Sequence, residues 1–136
     1  MQRTLMMIKP DAVSDNRIGE ILRRVEEEGF KIRALKMACW DRVQAAEFYA
    51  VHIGKPFYEG LMDFVTSGPV VPMVLEREDA VEHLRAFIGP TDSREAARGT
   101  IRSDFGRDNR QNAVHASDSP ENAAREIAFF FGELKP

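Results

Sequence analysis

The sequence has very little cysteine: Cys39 is the single thiol in 136 residues, so no disulfide can form within the chain. It also lacks an apolar run of about 18 residues, the length that a membrane-spanning helix needs. Its first residues show neither the apolar segment nor the small-residue cleavage site of a secretion signal. We therefore expect a cytoplasmic protein with no membrane partner, in which Cys39 is buried as a small apolar residue.

A large excess of one charge is absent as well. The 19 basic and 22 acidic side chains leave a net charge of −3, so the chain has no general attraction to nucleic acid or to anionic lipid. Any anion site must therefore be local. With 43% hydrophobic residues, a chain of this length buries about two-thirds of its unfolded surface in one core, and we expect a single domain over residues 1–136.

Hydrophobic periodicity divides the chain into strands and helices. Apolar or alternating runs predict four strands, over residues 4–8, 30–37, 70–75 and 113–115. Helical spacing predicts helices over 18–28, 43–52, 57–65, 78–88 and 120–131, the last with Ala124, Ile127, Ala128 and Phe131 on its buried face. Turn signals mark 89–111 as a long, partly structured loop, and loops of this length usually carry function.

This order of elements fits a ferredoxin-like α+β fold, βαββαβ, in which helices on one face cover a four-stranded antiparallel sheet. The helices over 43–52 and 57–65 form an inserted hairpin, and the long loop precedes the last strand. A small doubly wound parallel sheet is the alternative, but no glycine-rich phosphate loop follows the first strand. Pro72 removes one hydrogen-bond donor from the third strand, which indicates an edge position or a bulge.

His115 lies at the end of the short last strand, just before a helix that Ser119 and Pro120 open. A neutral imidazole is a strong nucleophile near neutral pH, and the first turn of a helix favours negative charge nearby. A lone histidine is more often structural, yet Asn112 and Ser117 place short hydrogen-bonding side chains beside this one. The stretch therefore favours phosphoryl chemistry.

The other two histidines do not form a metal site with His115. Neither His52 nor His83 belongs to a ligand pair such as H-x-x-x-H, and a single cysteine adds no Cys-x-x-Cys pair. We expect His83 to be solvated on the outer face of its helix, and His52 to have a packing role.

Three basic residues differ from the helix-surface lysines and arginines that pair with acidic neighbours. Lys9 ends a buried strand, Arg85 lies beside the apolar stripe of its helix, and Arg102 lies in the long loop. One ammonium and two guanidinium groups match the oxygens of a di- or triphosphate. Phe57, at a helix start, is either a hydrophobic staple or a platform for a nucleobase, and periodicity favours the staple.

Five motifs occur in order along the chain: TLMMIKPD at 4–11, KPF at 55–57, TSGPVV at 66–71, GTIR at 99–102 and NAVHASDS at 112–119. On these motifs the sequence resembles the nucleoside diphosphate kinases over essentially its whole length. The resemblance implies a ping-pong phosphotransferase that maintains nucleotide pools. In that reaction the γ-phosphate of a nucleoside triphosphate moves to a histidine and then to a nucleoside diphosphate.

By position, the resemblance makes His115 the nucleophile, attacking through Nδ1. It implies that Glu126 holds the other ring nitrogen, that Ser117 supports the site, and that Tyr49 assists near the phosphates. The residues that it implies for holding the phosphates and sugar, or for stacking on the base, are Lys9, Arg85, Thr91, Arg102, Asn112 and Phe57.

The same resemblance implies a cofactor and partners. Mg²⁺ is expected to be held mainly by the nucleotide phosphates, so no side chain is assigned as its direct ligand. ATP and other nucleoside tri- and diphosphates are the expected substrates. The chain is expected to form a homo-oligomer, a tetramer or a hexamer built from dimers, and the net charge of −3 disfavours a specific nucleic-acid partner.

Some positions depart from the pattern of the family. Asp92-Ser93 stands where Asn-Pro is common, Arg98 stands where proline is frequent, and Ala116 replaces a frequent glycine beside the histidine. The altered loop motivates an alternative function, an oligomer that binds nucleotides for regulation and whose transfer activity is incidental.

Overall fold

The structure is a computed structural model that describes residues 1–132. Its strands are β1 (Gln2–Ile8), β2 (Lys31–Leu35), β3 (Val71–Arg77) and β4 (Val114–Ala116). Its α-helices are α1 (Pro10–Ser14), α2 (Ile18–Glu27), α3 (Arg42–Phe48), α4 (Tyr58–Val65), α5 (Ala80–Ile88), α6 (Ile101–Phe105) and α7 (Pro120–Phe131). Two short 3₁₀ turns, Ala50–His52 and Ser93–Glu95, lie in the connections.

The four strands form one antiparallel sheet in the order β2-β3-β1-β4. β1 pairs with β3 along its whole length, from Gln2 opposite Arg77 to Ile8 opposite Val71. β4 pairs with the last residues of β1 on the other side. The predicted ferredoxin-like arrangement is confirmed, and the alternative of a parallel sheet is wrong. Because β1 is an inner strand, its carboxyl end leads the chain into the interior of the molecule.

Helices cover both faces of the sheet, so the prediction of helices on one face is wrong. Side chains alternate along a strand, and both sets in β1 are buried. Met6 and Ile8 pack with α2 and α5, whereas Leu5 and Met7 pack on the opposite face with α3, α4 and α7. A strand that is buried on both faces is apolar without interruption, which explains the sequence of β1.

Pro72 lies in β3, which is an internal strand, so the expected edge position is wrong. The register shift between β2 and β3 does not involve this residue either. The carbonyl oxygen of Pro72 accepts the Lys36 N–H at 3.2 Å, beyond the last paired residues, Leu35 and Met73. The nitrogen of Pro72 points to the same side of the strand as its carbonyl. The missing donor therefore faces Lys36, one residue past the end of β2, between the paired residues of β2 and β3 and the isolated bridge of Ala38 with Val70.

Cys39 is exposed, and the expectation that it is buried is wrong. Ala38 forms an isolated antiparallel bridge with Val70, and Trp40 is buried. In extended chain, successive side chains point to opposite sides. Cys39 therefore points to solvent between two neighbours that point inward.

Helix α7 buries a face that is rotated by about one residue from the predicted one. Phe131 is buried as expected, but Ala124 and Ala128 are exposed. The other buried residues of α7 are Ala123, Glu126 and Phe130. A buried carboxylate in an otherwise apolar face needs a hydrogen-bonding partner, and Glu126 has its partners in and next to β4.

The long loop before β4 is partly structured, as expected, since it contains α6 and one 3₁₀ turn. Helix α1 was not predicted; it begins at Pro10, directly after β1, where proline is well tolerated. Among the described residues, no helix combines the length and the apolar character that crossing a membrane requires.

Candidate active site

A cavity of about 790 Å³ opens beside β4 and the carboxyl end of β1. Its walls come from the ends of several elements, which bring together residues that are up to about a hundred positions apart in sequence. Nine of the ten residues proposed from the sequence line it: Lys9, Tyr49, Phe57, Arg85, Thr91, Arg102, Asn112, His115 and Glu126. The tenth, Ser117, is fully buried behind the wall.

His115 projects from β4 and is held by α7. Its Nε2 lies 2.7 Å from Oε1 of Glu126, and the same carboxylate oxygen accepts the Ser117 hydroxyl at 2.7 Å. Burial alone would raise the pKa of Glu126, but the hydrogen bonds from His115 and Ser117 outweigh it and lower the pKa below its usual value. An ionised acceptor assigns the ring proton to Nε2, so Nδ1 carries the free electron pair.

Aromatic rings fix the orientation of this imidazole. Phe48 and Tyr49, at the end of α3, contact the His115 ring edge-on, with centroids 5.2 Å and 6.1 Å away. Tyr49 is buried, and burial, with the nearby Glu126 charge, raises the pKa of its phenol. The phenol is therefore neutral at physiological pH.

Lys9 is buried where β1 ends and α1 begins. Its Nζ donates to Oδ1 of Asn112 and to the Arg110 carbonyl, both at 2.9 Å, and Asn112 Nδ2 donates to the Thr91 carbonyl at 2.9 Å. Burial lowers the pKa of Lys9 to about 8, with the charges of Arg102 and Arg110 acting in the same direction. The ammonium is charged at neutral pH and is only partly neutralised by its neighbours.

Arg102 is the second buried cation of the cavity. Its guanidinium donates to the carbonyls of Gly89, at 3.1 Å, and Val114, at 2.9 Å, while its Nε finds no partner in residues 1–132. Burial, and then the nearby charge of Arg85, lower the pKa of Arg102 to about 10. Arg85 is itself exposed and donates to the Ala116 carbonyl at 3.2 Å.

These side chains define the inner end of the cavity: Lys9, Arg102, Asn112, His115 and Glu126. Within residues 1–132, Lys9 and Arg102 form no ion pair with a carboxylate, and two buried cations in this state make a strong site for an anion. The oxygens of a phosphate would accept hydrogen bonds from the donors of Lys9 and Arg102 that the described part of the chain leaves unused, such as Arg102 Nε. The nucleophilic nitrogen of His115 faces the same space, which suits transfer of a phosphoryl group.

The mouth of the cavity is formed by His52, Lys55 and Phe57, between α3 and α4. Phe57 is 43% exposed, at the N-cap of α4, with its ring centroid 5.2 Å from that of His52 and 5.9 Å from Lys55 Nζ. The preference for a hydrophobic staple is therefore wrong, because the ring lies on the cavity wall. Such a half-exposed ring can stack against a planar ligand.

Sequence reasoning missed several residues of the cavity. His52, which was assigned to packing, stacks on Tyr49 with centroids 6.1 Å apart and lines the mouth. Arg110 and Arg125 also line the cavity, and no local pattern distinguished them from surface arginines. The motif that contains Lys55 was the one available signal for the mouth.

His83 lies outside the cavity and is not simply solvated. Its Nε2 is 2.6 Å from Oε2 of Glu28, and its ring contacts Phe30 edge-on with centroids 5.6 Å apart. No group of three or more His, Cys, Asp or Glu side chains with metal-binding geometry occurs within residues 1–132.

Comparison with known proteins identifies the family. The family model described as nucleoside diphosphate kinase matches residues 2–135. The chain belongs to the nucleoside diphosphate kinase family. The curated nucleoside diphosphate kinase of Staphylothermus marinus is 55% identical over 130 residues, which cover 96% of this chain and 92% of that protein.

Solved structures of nucleoside diphosphate kinases have the same fold. The Aquifex aeolicus enzyme superposes with a TM-score of 0.94 at 52% identity, covering 96% of this chain and 94% of that one. The Halobacterium salinarum enzyme in complex with CDP superposes with a TM-score of 0.92 at 45% identity, covering 96% and 87%. The predicted family and fold are therefore confirmed.

Membership of the nucleoside diphosphate kinase family establishes the reaction. The chain is a phosphotransferase that moves the γ-phosphate of a nucleoside triphosphate to a nucleoside diphosphate through a phosphohistidine. It binds nucleotides, and enzymes of this family require a divalent cation for activity. The prediction of a phosphotransferase is confirmed. The alternative of a regulatory oligomer whose transfer activity is incidental stays a prediction.

Proposed function

We propose that His115 is the residue that carries the phosphate. The electron pair of Nδ1 attacks the γ-phosphorus of a nucleoside triphosphate, the bond to the bridging oxygen breaks, and the nucleoside diphosphate leaves with that electron pair. A terminal phosphate oxygen of a second nucleoside diphosphate then attacks the same phosphorus. The N–P bond breaks, and the imidazole regains its electron pair.

The observation that carries this proposal is the pairing of His115 with a buried, ionised Glu126. Because Oε1 of Glu126 is 2.7 Å from Nε2, the ring presents Nδ1 to the cavity in the correct tautomer. When Nδ1 becomes phosphorylated, the ring is positively charged, and the adjacent carboxylate stabilises that charge. Ser117 keeps Glu126 in place through its own 2.7 Å hydrogen bond.

Lys9, Arg102 and Arg85 are proposed to hold the phosphates. Phosphoryl transfer requires alignment and neutralisation of charge on the equatorial oxygens. The two buried cations lie at the inner end of the cavity, and Arg85 lies next to β4 through its bond to the Ala116 carbonyl. Asn112 and Thr91, which are joined by a 2.9 Å hydrogen bond, are proposed to meet the sugar and phosphate oxygens.

At the mouth, Phe57 is proposed to stack on the nucleobase. Every base has a π-face, so stacking accepts different bases, and the exposed ring of Phe57 offers such a platform. Tyr49 is proposed to assist beside the phosphates, since its neutral phenol packs against His115.

Mg²⁺ is the proposed divalent cation. It usually keeps several waters and binds through substrate phosphates rather than a protein cage, which fits a cavity whose buried charges are mainly positive. When bound, it neutralises negative charge on the phosphate oxygens. We assign no side chain to it as a direct ligand.

A homo-oligomer built from dimers is also proposed, as a tetramer or a hexamer. β2 is the last strand at one side of the described sheet, and Leu35 and Met37 near its end are 45% and 58% exposed. An exposed strand edge with apolar side chains is suited to pairing with another chain. The cytoplasmic location stays a prediction of the sequence.

Labelling of the histidine tests the assignment of His115. Incubation with γ-labelled ATP and Mg²⁺ should attach label to the chain, and the label should be lost in acid and retained in base. His115→Ala should abolish the labelling, whereas His83→Ala, outside the cavity, should retain it. An unlabelled wild-type chain, or labelling that survives in His115→Ala, would contradict the proposal.

A further inference from the structure

We propose that Asp11 is a positioning residue, which holds a strained turn at Ala113 and thereby sets the position of His115. The proposal rests on the assignment of His115 as the phosphate carrier. Asp11 does not line the cavity, and its carboxylate accepts the Ala113 N–H rather than a group of His115. It acts through the backbone that leads into β4.

Ala113 has an unusual backbone conformation. Its φ is +71°, in the left-handed region that disfavours residues with a Cβ atom. The other non-glycine residues with positive φ are Asn16 and Asp79 among residues 1–132, and short polar side chains adopt this conformation more readily. Ala113 has no such side chain, so the conformation must be imposed by its surroundings.

The strain belongs to a three-residue turn centred on Ala113. The Val114 N–H donates to the Asn112 carbonyl at 2.8 Å, and a positive φ at the central residue is typical of the rarer, strained form of γ-turn. The turn separates Asn112, which binds the Lys9 ammonium, from His115. If φ at Ala113 relaxed to a negative value, His115 would move relative to Asn112.

Asp11 supplies the restraint. Its Oδ2 accepts the Ala113 N–H at 3.1 Å, and the Lys9 N–H donates to the Ala113 carbonyl at 2.9 Å. Both polar backbone groups of Ala113 are thus bound to the start of α1 and the residue before it. Ala113 and Asp11 are 102 positions apart in sequence. The hydrogen bond between them therefore joins the two ends of the fold.

The burial of Asp11 shows that this contact is maintained at a cost. The carboxylate is 5% exposed, its Oδ1 has no hydrogen-bond partner in residues 1–132, and burial raises the pKa of its carboxyl. A buried carboxylate with an unsatisfied oxygen is unfavourable for stability. Stability therefore does not explain why Asp11 lies there, whereas a role in positioning His115 does.

The test measures the single-turnover rate at which saturating ATP phosphorylates His115, per folded molecule. Asp11→Ala should lower this rate by about tenfold or more, because misplacement of a reacting group has effects of this size. Asp11→Asn, whose amide oxygen can still accept the Ala113 N–H, should lose about threefold or less. Asp15→Ala, at the exposed end of α1, is the matched control and should retain the wild-type rate.

Rescue by glycine separates positioning from stability. Glycine adopts positive φ without a Cβ penalty, so Asp11→Ala/Ala113→Gly should regain at least about threefold of the rate lost in Asp11→Ala. If Asp11→Ala does not fold, the comparison uses Asp11→Ser, whose hydroxyl is too short to reach the Ala113 N–H, with and without Ala113→Gly.

The outcomes distinguish this proposal from the assignment of His115. A lower melting temperature with an unchanged rate per folded molecule would make Asp11 a purely structural residue and overturn the proposal. Failure of Ala113→Gly to restore any rate would overturn the route through Ala113. If the wild-type chain is not phosphorylated on His115, the proposed function fails; if it is, only the positioning role is in question.

Discussion

At the inner end of the cavity the charged side chains are buried and bonded to backbone carbonyls or to neighbouring polar side chains, whereas at the mouth they are exposed and in contact with rings. Lys9, Arg102 and Glu126 are each 5% or 6% exposed. Phe57 is 43% exposed, and Lys55 beside it is also exposed. The first group is anchored to β1, β4 and α7, and the second lies on the connection between α3 and α4.

This difference matches the two parts of a nucleotide. The phosphate groups have the same chemistry in every nucleotide substrate and must be aligned closely for transfer, so their site benefits from rigid, buried groups. The base differs between substrates and takes no part in bond making. A platform that stacks without reading base edges tolerates that variation. On the proposed assignment of residues, alignment of the phosphates and tolerance of different bases are therefore separated along one cavity.

Arg102→Ala tests the inner end and should have the largest effect. Loss of charged hydrogen bonds worth about 3 kcal/mol should lower kcat/KM by about a hundredfold. Because the carbonyls of Gly89 and Val114 also lose their donor, the rate is normalised to folded protein. Arg23→Ala, on the exposed face of α2, is the control, and an equal loss in that variant would break the contrast between buried and surface cations.

The pH dependence of Lys9 tests the same end with a smaller effect. A lysine with a pKa of about 8 is charged below that pH and neutral above it. Because the charged form binds phosphate, kcat/KM should fall by up to about tenfold between about pH 7 and about pH 9.

Two variants sharpen this assignment. Lys9→Gln should have a lower kcat/KM that no longer falls over that range, since the titrating group is gone. Lys55→Gln, at the mouth, should keep the fall. A decline that persists in Lys9→Gln would show that another group titrates.

Phe57→Ala tests the mouth and should have the smallest effect. Loss of stacking worth about 1 kcal/mol should raise KM by about fivefold while kcat changes little. The increase should be similar for adenine, guanine, cytosine and uracil nucleotides. A large loss of kcat, or a loss confined to one base, would mean that the mouth contributes to alignment or to base recognition.

The sequence was sufficient for much of the fold. The uninterrupted apolar run of β1, the helical spacing of α2 and α5, and the Ser119-Pro120 start of α7 were each found by local pattern. Failures came where burial depends on distant partners. Glu126 of α7 points inward, where it bonds to His115. Pro72 is tolerated inside the sheet because its missing donor falls just past the end of β2.

The candidate site divides in the same way. His115 was proposed from its place between a strand and a helix start, and the motif resemblance then proposed the phosphate and base residues, all of which line the cavity. No pattern indicated Arg110, or a role for Asp11 at Ala113, because these contacts join segments about a hundred residues apart. Local periodicity reports which face of an element is apolar, but it does not report which element lies opposite.

By itself, the sequence determined the order of strands and helices and the class of reaction, and it proposed the reacting histidine, since these depend on local spacing and on motifs. Only the tertiary structure decided that Lys9 and Arg102 are buried with lowered pKa values, that Glu126 selects the tautomer of His115, and that Asp11 restrains Ala113. Hydrogen bonds, desolvation and charge depend on distance in space, and the fold sets that distance.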